Sequence, residues 1–115
     1  MPSYNSKFQR TASGTLTVGT LSNPGAGPRR LKIFEIILGS EGSLVSESVF
    51  SWILRRTTAA GTSTAVTPQL LNPADSAAVA VAGENHTVEP TYTANANCLP
   101  PIPLNQRATF RWVAP

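Results

Sequence analysis

The sequence predicts an all-β protein, and three observations carry that prediction. Short runs of Thr, Ser, Ala and Val alternate polar and apolar side chains with the period of two that a half-buried strand requires. The chain has 8 Gly and 10 Pro, which break these runs at short intervals as turns do. Its 115 residues suit one domain with a single core. We therefore expect a single β-sandwich of jelly-roll type, with a barrel as the second choice.

The chain is expected to begin with an extended N-terminal arm over residues 1–12, followed by the β-sandwich domain over residues 13–115. Tyr4 and Phe8 are the only large apolar side chains of the arm. That composition is typical of a segment that orders on a partner or on the body of the protein. Residues 15–19 alternate strictly and predict the first strand, and a turn rich in Pro and Gly follows.

Residues 30–38 form the most hydrophobic run, and Gly39 ends it. Strict alternation is lost over residues 34–38, so we expect a central strand that is covered on both faces. A third strand is predicted over residues 48–57, with Phe50, Trp52 and Leu54 facing the core.

The second half of the chain mixes strand and helix signals. Residues 64–67 predict a strand, whereas Asn72 followed by Pro73 and Asp75 has the composition of a helix start. Gly83 stands where a helix C-cap would be, so a short helix is predicted over residues 73–82. The apolar part of that segment, residues 78–82, fits a small strand equally well.

The last segments are extended. Residues 87–104 contain four prolines and predict an irregular extended stretch or a sheet edge. Residues 107–113 form the cleanest amphipathic strand, with Ala108, Phe110 and Trp112 on one face.

Reactive side chains are scarce, because the chain has one Asp (Asp75), one His (His86) and one Cys (Cys98). This scarcity argues against an enzyme, and we predict no catalytic residue and no cofactor. His86 with Glu84 and Glu89 offers too few nitrogen or sulfur ligands for zinc, so these three are predicted to be solvated loop residues and no metal is expected. Cys98 is expected to be a small buried hydrophobe. No run approaches the ~18–20 apolar residues that span a bilayer, so no membrane partner is predicted.

Charge is low and unevenly distributed. Charged residues make up 13% of the chain, against roughly 25% in an average soluble domain, and such a surface often faces another protein. The net charge is +3, and the first five cations, the last of which is Lys32, all come before the first acid, Glu35. Blocks of opposite sign suit contacts between neighbouring copies. The cations are too sparse, with too few aromatic residues among them, to make nucleic acid the preferred partner.

Several segments, taken in order over roughly residues 10–115, resemble small proteins of tailed bacteriophages and related environmental viral genomes. The segments that carry the resemblance are PRRLKIFE (residues 28–35), GSEG (39–42), TTAAGTSTAVTP (57–68), LNPAD (71–75), AGENHTVEPT (82–91) and LNQRATFRW (104–112).

The resemblance implies a capsid decoration, or cement, protein: a β-sandwich, often trimeric, that sits on the capsid shell. The implied partners are the major capsid protein and further copies of the chain, and the implied location is the virion, assembled in the bacterial cytoplasm. We expect the shell contacts to be made by arm residues and by the basic residues of the first turn: Tyr4, Lys7, Phe8, Arg10, Arg29 and Arg30. Relatives continue past Trp112 into further strands, so a chain that ends at Pro115 is expected either to lack part of its sandwich or to complete it with a neighbour's strand.

Two other functions stay open at this point. One is a capsid or packaging protein whose basic arm binds nucleic acid, which would bind with a steep dependence on salt. The other is a carbohydrate-binding or host-recognition sandwich of a fibre or spike, which would need exposed aromatic side chains on one face. Trp52 and Trp112 are predicted to lie in the core instead, which disfavours the second alternative.

Overall fold

A computed structural model describes residues 2–11, 15–23, 30–41, 49–92 and 96–115. These residues form nine strands and no helix, so the all-β prediction is confirmed. The strands are β1 (Tyr4–Asn5), β2 (Gly19–Ser22), β3 (Glu35–Leu38), β4 (Val49–Trp52), β5 (Thr62–Val66), β6 (Gln69–Leu70), β7 (Val81–Val88), β8 (Ile102–Asn105) and β9 (Phe110–Val113).

The chain divides into two compact units. Unit 1 comprises Met1–Leu31 and Thr57–Tyr92, and unit 2 comprises Lys32–Arg56 and Thr93–Pro115. All the strand pairings are antiparallel, and each lies within one unit. The boundary predicted between the arm and the sandwich, at residues 12 and 13, lies outside the described residues.

Unit 1 is built around β7, the longest strand. It pairs with β2 on one side and β5 on the other in a three-stranded sheet, while β1 pairs with β6 in a separate ribbon. Ala82 and Gly83 of β7 are buried, and Ala82 is only 2% exposed. A Cβ at Gly83 would collide with the side chain of Ser63 on β5. Glycine is therefore needed there for β5 and β7 to approach each other.

The short helix predicted over residues 73–82 is wrong. The Asn72 side chain does accept a hydrogen bond from the Ala74 amide (3.1 Å), and the Asp75 amide bonds to the Asn72 carbonyl (3.0 Å), but the chain makes one turn and stops. An isolated helix of so few residues is marginal in water. From Val81 onward the same apolar residues gain ladder hydrogen bonds to two neighbouring strands, which is the small-strand alternative.

Unit 2 consists of two ribbons, β3 with β9 and β4 with β8. The predicted alternation is confirmed in both: Phe50 and Trp52 of β4 and Phe110 and Trp112 of β9 are half-buried, while their neighbours in the strands are exposed. The tight turn after β8 is fixed by Asn105, whose side chain accepts from the Arg107 amide (3.0 Å).

The strand predicted to be covered on both faces is covered on one. β3 pairs with β9 alone among the described strands, and Ile37 is 64% exposed while the other residues of the strand are half-buried. Within unit 2 no described strand lies over that side. The central position that the sequence suggested for β3 belongs to β7, whose residues are small enough to be enclosed by two neighbours.

Candidate functional site

The described part of the N-terminal arm lies on the body of unit 1. Tyr4 pairs with Leu70 across the β1–β6 ribbon, and its hydroxyl donates to the Ser76 carbonyl (2.8 Å). The Phe8 ring occupies the space where a side chain at position 19 would project, so Gly19 at the start of β2 is required for the ring to sit there. The arm is thus ordered on the body, which is one of the two outcomes expected from its composition.

Arg10 fastens the arm to β7 and to the segment before β2. Its guanidinium donates to the Thr17 carbonyl (2.9 Å), the His86 carbonyl (3.1 Å) and the Glu89 carboxylate (2.9 Å). If the β2–β7 register continued, Thr17 would face His86. Arg10 therefore links β7 to the segment before β2 at the point where the hydrogen bonds between the two strands have ended. The Arg10 side chain is only 17% exposed, so its ion pair with Glu89 is better shielded than an ordinary surface pair.

Glu84, an acid within β7, also binds the arm. The Glu84 carboxylate accepts from the Gln9 amide (2.9 Å), and the Glu89 carboxylate accepts from the Thr17 amide (3.1 Å). Partial burial alone would raise the pKa of Glu89. The hydrogen bonds from Thr17, together with the hydrogen bond and the charge of Arg10, outweigh this effect of burial. The pKa of Glu89 is therefore lowered below its ordinary value of 4.5. We call this set of residues, Gln9, Arg10, Thr17, Glu84 and Glu89, the arm clamp.

A bulge in β7 turns His86 inward beside the arm clamp. Between the pairs Thr62↔Val88 and Thr64↔Glu84, β7 carries extra residues, and Asn85 there has a φ of 50°. His86 is consequently 4% exposed, with Nε2 3.2 Å from the Thr20 hydroxyl and a buried Nδ1 that has no hydrogen-bond partner. The predicted placement of His86 in a solvated loop is wrong, because His86 lies in β7 and its side chain is buried.

The chemistry of this region is that of attachment. Arg10 and the two carboxylates bind backbone groups of the same unit, and no group of three or more His, Cys, Asp or Glu residues able to hold a metal is found in the part of the chain that the structure describes. Sequence reasoning missed the arm clamp. Two of the three partners of Arg10, His86 and Glu89, lie more than seventy residues away along the chain, and no local pattern marks them.

The residues predicted to contact a shell fall into three groups. Tyr4, Phe8 and Arg10 contact the body of unit 1, Lys7 and Arg30 are exposed, and Arg29 lies outside the described residues. Their contact with a shell stays a prediction, and Lys7 and Arg30 are the two whose exposure suits it.

In unit 2 the β3–β9 ribbon has one face toward the unit's interior and one toward solvent. Directly opposed residues of an antiparallel pair share a face. Ile36 lies opposite Trp112 on the inner side, whereas Glu35 opposite Val113 and Ile37 opposite Arg111 lie on the outer side. We call these four residues, Glu35, Ile37, Arg111 and Val113, the outer ribbon face.

The outer ribbon face combines apolar and paired charged side chains. Ile37 and Val113 are 64% and 52% exposed. Between them, Arg111 Nε donates to Glu35 Oε1 over 2.6 Å, and this bond raises the pKa of the guanidinium above its usual value. The face therefore presents two uncovered aliphatic side chains around a pair of charges that sums to zero.

Exposed apolar surface is not confined to this face. Among the described residues Ala82 is the only hydrophobic residue that is buried. Fourteen large hydrophobic side chains of the same ranges are 40% exposed or more: Leu16, Leu21, Leu31, Ile33, Phe34, Ile37, Val49, Ile53, Leu71, Val79, Val81, Val88, Tyr92 and Val113. The chain by itself does not enclose the apolar side chains that it carries.

The accessible surface gives the size of this deficit. The chain exposes 8653 Å², whereas a folded monomer of its 12.2 kDa mass exposes about 6,100 Å². If the two units are counted as separate globules, the expected surface rises only to about 7,300 Å². The remaining excess of about 1,300 Å² is larger than the roughly 800 Å² that each partner buries in a standard stable interface.

One further prediction from sequence is wrong, and it again concerns burial. Cys98 was expected to be buried, but it is exposed, with its amide bonded to the Leu54 carbonyl (2.8 Å) in the extended segment after Pro90. Because the described residues form so little interior, the small apolar side chain of Cys98 lies at the surface.

None of the residues that the structure describes belongs to a helix long and apolar enough to cross a bilayer. No family model matches the chain, and no curated protein and no solved structure is significantly similar to it.

Proposed function

We propose that this chain is a non-enzymatic structural protein of a virus particle, a capsid decoration protein that binds the major capsid protein and stabilises the shell. The observation that carries the proposal is the uncovered apolar surface. A chain that exposes more surface than two separate globules of its size needs a protein neighbour to cover it. The resemblance to bacteriophage proteins names the neighbour.

The proposal includes the architecture of the assembled form. Unit 2 has two-stranded ribbons, which are marginally stable when isolated in water. Association with further copies, as a trimer, and with the shell would bury their open sides and complete a jelly-roll-like sandwich. The working form is then the assembly in the virion.

The arm clamp favours this reading over a nucleic-acid-binding arm. Arg10, one of the two cations of the arm, already donates to two carbonyls and one carboxylate, which leaves Lys7 alone available to a phosphate. Occupying Arg10 with a phosphate would break three hydrogen bonds of unit 1. Half-buried Trp52 and Trp112, on the inward sides of their strands, likewise give a carbohydrate no aromatic platform.

The composition of purified particles tests the proposal. We expect mass spectrometry of heads from the virus that encodes the chain to find it at a fixed ratio to the major capsid protein. We also expect the purified chain to sediment with shells that lack it. Absence from the particle together with failure to bind shells would overturn the proposal, and DNA binding that falls steeply with salt would favour the packaging alternative.

Charge reversal tests the two exposed contact residues. We expect the double variant Lys7→Glu and Arg30→Glu to bind shells more weakly, because both cations are exposed and available to an acidic neighbour. Arg107→Glu is the matched control, since Arg107 is also an exposed arginine but lies in the turn between β8 and β9. Equal loss in both variants would show that only net charge matters.

A further inference from the structure

The outer ribbon face shows a mismatch between sequence and burial. The run that contains β3 has lost the alternation of a half-buried strand and reads as a strand enclosed on both sides. The structure covers only the inner side, where Ile36 and Leu38 are half-buried, and leaves Ile37 as one of the most exposed large aliphatic side chains of the described residues. No described strand of unit 2 pairs with or covers that side.

We infer that the outer ribbon face packs against the same face of a second copy, about a two-fold axis. This inference deepens the proposed function, because it rests on the self-association included there and names the surface through which two copies meet. In such a contact Ile37 and Val113 of each copy lie at the centre, and two sheets stack face to face at the usual ~10 Å.

Charge selects a second copy over an unrelated partner. The chain carries a net charge of +3, so two copies repel each other weakly overall and a neutral contact face adds nothing to that repulsion. The outer ribbon face holds one acid and one base, Glu35 and Arg111, joined at 2.6 Å. Two such faces are neutral and can exchange partners across a two-fold axis, the acid of one copy meeting the base of the other.

The available area suits the same conclusion. Stable interfaces bury about 800 Å² per partner, and the chain exposes about 1,300 Å² more than two separate globules of its size would. This excess belongs to the whole chain, and one contact of standard size fits within it. The uncovered remainder is then left for the other contacts of the proposed assembly.

Two substitutions in the purified full chain test the inference, one on the outer ribbon face and one control outside it. By light scattering after size-exclusion chromatography, we expect the wild-type chain to have an even number of copies: two, or six if trimers of the proposed kind also form. Ile37→Lys should halve that number. Leu71→Lys is the control, because Leu71 is 59% exposed and lies in unit 1, outside both ribbons of unit 2, and it should leave the mass unchanged.

Charge-reversed variants test the two-fold geometry itself. Arg111→Glu gives a face with two acids and Glu35→Arg a face with two bases, so each variant alone should lose the pairing and a mixture of the two should regain it. A wild-type mass of one or three copies that Ile37→Lys does not change would overturn the inference. So would a mixture that stays at the mass of the separate variants. Neither result touches the shell-binding assay, so failure here is distinguishable from failure of the proposed function.

Discussion

Unit 1 and unit 2 solve the problem of a small core in different ways. Unit 1 encloses a strand of small residues, β7, between two neighbours and ties the N-terminal arm to it with buried and half-buried polar groups. Unit 2 places its large apolar residues on two ribbons and covers one side of each. The difference shows that the units order their segments by different means, since unit 1 holds its arm with polar contacts and unit 2 relies on one-sided apolar packing, while both leave large apolar side chains exposed.

The two ion pairs of the described residues show the same contrast. Arg10 in unit 1 is 17% exposed and makes further hydrogen bonds to backbone carbonyls, whereas Arg111 in unit 2 is 63% exposed and is joined to Glu35 at the surface. The first pair fixes a segment of chain in place. The second leaves a neutral, accessible surface, which is what a contact with another copy uses.

The largest expected effect comes from filling the glycine at the centre of unit 1. Gly83→Ala places a Cβ 2.9 Å from the Ser63 Cβ and in collision with its hydroxyl, so β5 must shift. We expect the free energy of unfolding to fall by about 1–3 kcal/mol, as for other overpacked sites. Urea denaturation monitored by circular dichroism measures the change.

A matched glycine and a rescue sharpen this prediction. Gly39→Ala in unit 2 would meet Thr109 Oγ1 at 3.6 Å, an ordinary contact, and should change stability by no more than about 0.5 kcal/mol. Adding Ser63→Gly to Gly83→Ala should restore most of the loss. If the double variant is as unstable as the single one, the close approach of β5 to Gly83 is not the cause.

A smaller effect is expected from removing the two arginines in turn. Arg10→Ala breaks a shielded pair and two hydrogen bonds to carbonyls, so we expect a loss of about 1–2 kcal/mol and faster hydrogen exchange at the Gln9 and Thr17 amides. Arg111→Ala should change the free energy of unfolding much less than Arg10→Ala does, because solvent screens an exposed pair. Equal losses would contradict the distinction between the units.

Local patterns in the sequence predicted what depends on alternation. The strands around Phe50 and Trp112 and the one ending at Val66 follow from a period of two, because each such strand has one side toward an interior whatever its partner is. The helix over residues 73–82 was a local misreading. Its start signal formed a real turn at Asn72, but pairing with β2 and β5 gave the following residues more hydrogen bonds than a short helix could.

Long-range features could not be predicted in the same way. The bulge at Asn85, which buries His86, appears only when β7 is set against β5, and the partners of Arg10 come from distant segments. The loss of alternation around Ile37 predicted a strand covered on both faces, whereas the structure leaves Ile37 64% exposed. That loss could not indicate whether the cover belongs to this chain or to another, because both give the same sequence pattern.

The smallest effect expected is the titration of Glu89, which tests whether the arm clamp exists in solution. Its pKa is lowered because the charged form is bonded by Thr17 and Arg10. The stabilisation is therefore complete above about pH 4.5, the ordinary value, and is lost as the pH falls through the lower folded-state value. Since Glu89 is 40% exposed, the effect on total stability is small, and a local probe is needed.

The Thr17 amide is that probe, because it donates to the Glu89 carboxylate. Its proton chemical shift should titrate with a midpoint below 4.5, and Glu89→Gln should abolish the titration while Arg10→Ala moves the midpoint upward. A midpoint at or above 4.5 in the wild-type chain would mean that the carboxylate is solvated and the arm is not held by it. Unit 1 would then lack the polar attachment of its arm that distinguishes it from unit 2.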